Sequence, residues 1–157
     1  MPTEALISEL REARAELLSA LDAIAPESMT TPGLVGVWSG RELIAHLGYW
    51  AGHATEVIHA VEGGRIDEVG AGEPPVDDVN DTVARVARTT ALATVRAREA
   101  ATIEALVERL TTLDPALLSQ RLTDGSTLEA AIREDGSYHY REHAAALRRV
   151  LDEAPHG

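Results

Sequence analysis

Apolar residues return every three or four positions through four long stretches, and nowhere do they alternate in the two-residue rhythm of a strand. That pattern leaves helix packed on helix as the way to bury them. The first stretch runs from about 3 to 24, with Leu6, Leu10, Ala13, Leu17, Leu21 and Ile24 on one stripe and Pro26 ending it. A second opens at Ser39, which makes a capping box with Glu42, and runs to Gly63-Gly64 with Leu43, Leu47, Trp50, Ala54, Val57 and Val61 in phase. The third starts between 76 and 81 and continues to about 111 through Val79, Val83, Val86, Ile103, Leu106 and Leu110. Asp114-Pro115 then reads as the start of a short helical turn. The last stretch begins at Ser126, with a second capping box to Glu129, and ends near 151; Gly136 inside it is a place for a kink. The expectation is one all-α domain over residues 1–157, a four-helix bundle whose crossover connections are the Gly- and Pro-rich loops 25–38 and 64–76.

Charge narrows the partners. The formal net charge is −12, and no basic surface is available to offset repulsion from phosphates, which argues against nucleic acid and anionic membranes. There is no cysteine, hence no disulfide, thiolate metal site or cysteine nucleophile. With no Phe, the core falls to Leu, Ala, Val and Ile. All 14 basic residues are Arg, which codon bias in a GC-rich genome explains more simply than an arginine-specific function. The start shows no basic and apolar leader, and no apolar run reaches transmembrane length, so a cytoplasmic protein is the expectation.

The chemistry-bearing residues are histidines. His139 and His143 stand four apart on the last helix, about 40° apart in rotation and roughly 6 Å along its axis, a spacing that lets two imidazoles share one ion. Continuing the stripe of Leu128, Ile132, Ala146, Leu147 and Val150 through the middle of that helix lands on Asp135, His139 and His143, which places both histidines toward the core. On the second helix His46 falls between Leu43 and Trp50, and His53 beside Ala54, again inward; His59 turns away, and His156 lies in the C-terminal tail. A third imidazole beside the pair would complete a three-His site with an open position. The alternative is a hydrogen-bonded polar cluster in the core. Residues 139–143 also match H-x-x-E-H, but only fourteen residues follow His143, too few for the downstream acidic ligand and larger fold of that protease class. Walker A, G-x-S-x-G and dinucleotide-binding patterns are absent.

Trp38-Ser39, His46-Leu47 and Trp50 together resemble the opening of helix two in the DinB-like superfamily. The stretch 77–81 with Asn80, and His139-Tyr140 with His143 before a Leu-rich end, extend the resemblance over nearly the whole chain. It implies a bundle of up-down-down-up topology, often a homodimer, with a divalent metal, zinc or nickel, held by one histidine of helix two and two of helix four; His46, His139 and His143 occupy those positions. It further implies a metal-dependent, thiol-dependent (mycothiol-type) transferase or small-molecule hydrolase. The alternative is a metal-free binding or protection protein of the ClbS/DfsB-like branch, whose members need not keep the triad that is complete here. A two-domain isomerase is not expected, because no second domain is present.

Other residues carry two accounts each. His53 fits a second-shell donor or general base, though packing is simpler; Glu42 fits an orienting partner for His46, though its capping box explains it equally. Trp50 and Trp38 suit a pocket wall or plain anchoring, Arg141 a substrate carboxylate or solvent, and Asn80 an N-cap.

Overall fold

Residues 2–153 are described by the computed structural model. They form six α-helices: α1 (Pro2–Asp22), α2 (Gly40–Glu62), α3 (Val76–Arg88), α4 (Leu92–Thr112), α5 (Leu128–Asp135) and α6 (Ser137–Glu153). Short 3-10 turns occupy Pro26–Met29, Ile66–Glu68 and Pro115–Ser119. Apart from two isolated bridges, no strand occurs among the described residues. His156 lies outside them.

Cross-links between helices fix the topology. A Cβ at Gly48 would stand 3.3 Å from Glu99 Cα, Gly52 faces Thr102, and Glu62 pairs with Arg109, so α2 and α4 run parallel. Arg11 with Glu104 and Arg14 with Glu99 make α1 antiparallel to α4. Arg133 with Glu9 and Arg141 with Glu12 make α1 parallel to the α5–α6 arm. The order is therefore up-down-down-up, an all-α bundle as expected. Parallel neighbours need a return path, and α3 supplies it: Glu42 meets Arg88 and Trp50 meets Asn80, so α3 runs back along α2.

That return path corrects the expected third helix, which breaks at 89–91. The hydroxyls of Thr89 and Thr90 both donate to the Val86 carbonyl, and Arg41 Nη1 donates to the Thr90 carbonyl, so side chains take over where the helix ladder stops. The buried face of α3 is Ala84 and Ala87; Val86 is 53% exposed, not core as its stripe suggested. Asn80 is no N-cap: it sits inside α3 and accepts from Trp50 Nε1 at 2.9 Å. The fourth stretch is also two helices. Thr127, not Ser126, caps α5, accepting from Ala130 N–H. At Gly136 a Cβ would lie 2.9 Å from the Ile132 carbonyl oxygen, and the break there resets the helical phase. Beyond it the buried residues are Ser137, Tyr140, Ala144 and Leu147, while Val150 is exposed and the two histidines flank the core stripe instead of lying on it. The capping box of Ser39 with Glu42 and the cap at Asp114 form as read.

One buried ionic cluster ties the bundle together. Arg14 Nε and Nη2 donate to the two oxygens of Glu99 at 2.7 and 2.8 Å, and Tyr140 Oη donates to Glu99 Oε1 at 2.8 Å. Glu99 and Tyr140 are both buried, and burial pushes the Tyr140 phenol well above its ordinary pKa. Replacing Arg14 by Ala strands a buried carboxylate and is expected to cost about 3 kcal/mol in urea unfolding. Tyr140→Phe is expected to cost about 1 kcal/mol. The double change Arg14→Met with Glu99→Leu should recover most of the first loss; equal losses in all three variants would contradict the cluster's role.

Candidate metal centre

The capping box starts α2 at Gly40 and points His46 inward one and a half turns later. The helix break at Gly136 aims His139 and His143 at the same place from α6. His46 Nε2 and His139 Nε2 stand 2.8 Å apart, and the nearest nitrogens of all three imidazoles lie within 4.8 Å of one another. Nitrogens sharing one tetrahedral zinc are about 3.3 Å apart, a separation between the 2.8 Å of the His46–His139 pair and the 4.8 Å limit of the set. His46 is 6% exposed and its partners are half-buried. The Trp38 ring covers His46 at 4.7 Å between centroids.

Burial makes the cluster a set of neutral donors. Desolvation, with His139 and His143 adding to it, pulls His46 from 6.5 down to about 3. It brings His139 to about 4, with His143 contributing, and also lowers His143. Neutral imidazole is the form that binds metal. Nδ1 of His143 is buried without a hydrogen-bond partner, while His46 and His139 share one, so as a polar network the cluster is only partly satisfied.

Other candidates lie elsewhere. Glu42 is not oriented on His46: its Oε1 accepts from the Ser39 hydroxyl and its Oε2 pairs with Arg88 at 3.0 Å. His53 Nδ1 meets Asp135 Oδ2 at 2.7 Å and its Nε2 meets Glu73 Oε1 at 3.0 Å. The Asp135 hydrogen bond is the main force raising the His53 pKa to about 9, so at neutral pH it is a cation between two carboxylates. Arg141 reaches toward Glu12 on α1. Sequence reading missed Glu99, whose signal was an acid in phase with Val95, Ile103 and Leu106 on α4. It also missed the tilted Trp38–His46 ring contact and the Asp135–His53–Glu73 chain, which join residues across loops and have no local signature.

The chain belongs to the DinB superfamily, whose family model matches residues 9–152. Among solved structures it resembles the mycothiol-dependent maleylpyruvate isomerase (TM-score 0.71, 17% identity), covering 94% of this chain and 61% of the isomerase. A His-to-Ala variant of that enzyme matches similarly, with a TM-score of 0.70 and 16% identity over the same shares of the two chains. It also resembles the colibactin self-resistance protein ClbS in complex with a dsDNA (TM-score 0.73, 16% identity), over 98% of this chain and 97% of that one. The chain thus spans about three fifths of the isomerase. A search of curated proteins gives no significant match. Among the described residues no helix is long and apolar enough to cross a membrane.

The His53 bridge sets an alkaline limb of stability. Its folded pKa of about 9 exceeds the unfolded 6.5, so the stabilisation is complete below pH 6.5 and is lost as pH rises through 9. Thermal unfolding of the wild type should weaken between these values by at most roughly 3 kcal/mol, and His53→Gln should flatten that window. An unchanged slope in the variant would contradict the bridge.

Proposed function

We propose that His46, His139 and His143 hold one divalent ion, zinc or nickel, and that the protein is a small-molecule enzyme, a thiol-dependent transferase of the mycothiol-using kind or a hydrolase. The convergence of the three nitrogens within 4.8 Å carries this reading. Three neutral nitrogen donors form a borderline-soft set that suits zinc or nickel and leaves a coordination position open. When bound, the ion would act as a Lewis acid that makes a thiol or water a better nucleophile at neutral pH.

The chain's own residues prepare the site. Burial keeps the imidazoles unprotonated, so few protons compete with a metal at neutral pH. The Trp38 indole shields one face of His46 from water. His53 is held as an imidazolium by Asp135 and Glu73, which removes it from the general bases. The charge of −12 favours a small molecule over nucleic acid as substrate, and a cytoplasmic homodimer completes the proposal.

A second reading, a binding or protection protein of the ClbS kind, is supported by the match over almost the entire length of that protein. Metal analysis separates the two. Purified protein should contain about one zinc or nickel per chain, and His46→Ala or His139→Ala should reduce this more than tenfold. Metal-dependent turnover of an electrophile with mycothiol, absent without thiol, selects the transferase. Metal-free protein whose melting temperature ignores added zinc and chelator would sink the enzyme reading.

A further inference from the structure

A cavity of about 470 Å³ opens between α2, α3 and α4, and none of the three clustered histidines lines it. Its long walls are apolar or small: Gly48 and Gly52 from α2, Val83 and Val86 from α3, and Val95 from α4. The glycines let α2 approach α4 closely, and the two helices run parallel with residue 48 level with 99 and residue 52 level with 102. In that register Arg98 sits near the level of residue 47, while Glu56 lies nine residues further along, roughly 13 Å down the axis.

The charged groups around the cavity fall into two kinds. Glu99 is neutralised by Arg14 and hydrogen-bonded by Tyr140. His53 is engaged by Asp135 and Glu73. Arg98 and Glu56 differ: both line the cavity, both are exposed, and neither has an ion-pair or hydrogen-bond partner for its side chain among the described residues. They are of opposite sign and differ by about nine residues in level along an apolar trench. Glu73 and Asp135 are paired with His53, so Glu56 is the carboxylate on this wall left without a counter-ion. The Tyr49 ring adds an aromatic surface that favours a cation.

We propose that this cavity is a second ligand site, for an elongated zwitterion with an apolar body whose ammonium lies at Glu56 and whose carboxylate lies at Arg98. The reach of the flexible Arg98 and Glu56 side chains lets an unblocked apolar peptide of about three residues, at most roughly 10 Å long, bridge the pair. The volume is in the range of small-molecule pockets. The site is separate from the histidine cluster and stands whether or not that cluster binds metal.

Titration calorimetry with the tripeptide Val-Val-Val, its N-acetyl form and its C-terminal amide tests the assignment. Wild-type protein is expected to bind the free peptide saturably and to lose at least tenfold in affinity for either blocked form. Glu56→Gln should erase the discrimination against acetylation and leave that against the amide; Arg98→Gln should do the reverse. Both positions are exposed, and circular dichroism confirms that the variants fold. His46→Ala should bind the peptide as the wild type does. Absence of saturable binding up to about 10 mM, equal affinity for the three peptides, discrimination unchanged in both cavity variants, or loss of binding in His46→Ala would each overturn the proposal.

Discussion

The Tyr140–Glu99 hydrogen bond, backed by the bidentate grip of Arg14, is the interaction on which the site depends. It joins α6 to α4 and α1 and thereby fixes the rotation of α6 about its axis. With Tyr140 pointing at Glu99, His139 lies about 100° and His143 about 60° away on the same side. That side faces α2 and His46. A different azimuth would turn both histidines, which are only about 40° apart, away from His46 together. The cluster costs desolvation, yet it gives a directional reference that Leu and Ala packing lacks.

The break at Gly136 makes this azimuth reachable. An unbroken helix in phase with Leu128 and Ile132 would bury the histidines and turn Tyr140 outward. The residue that ends α5 is Asp135, and its carboxylate is then free to take His53 Nδ1. Phase reset, tyrosine burial and histidine convergence are thus consequences of one backbone event.

Much of this was legible in the sequence. The stripes of α1 and α2 are nearly uninterrupted Leu, Ala and Val, and there the period alone dictates the buried face. It failed on α3, where Val83 and Val86 line a cavity and the buried residues are Ala84 and Ala87. Close approach to α2 selects small residues there, and hydrophobicity scales rank size above fit. The break at 89–91 carries no Gly or Pro; local threonine bonds to the Val86 carbonyl and the long-range bond from Arg41 accompany it. Of the candidate site, His46, His139 and His143 were readable because each belongs to a helical period. Trp38, Glu73 and Asp135 gain their meaning from loops and a helix terminus, which spacing does not encode.

The pKa pattern divides the molecule into two electrostatic regimes. Around His46 burial dominates and the imidazoles are neutral; around His53 carboxylates dominate and the imidazole is charged. Two histidines seven residues apart on one helix face are therefore suited to opposite tasks, ligation and ion pairing. X-ray absorption spectroscopy at the metal edge of the zinc- or nickel-loaded protein tests the central claim most directly. The account predicts three imidazole nitrogens in the first shell at about 2.0–2.1 Å for zinc, with the outer-shell scattering of histidine rings, and one ring fewer in His143→Ala. A first shell of oxygens alone, or one identical in wild type and variant, would contradict it.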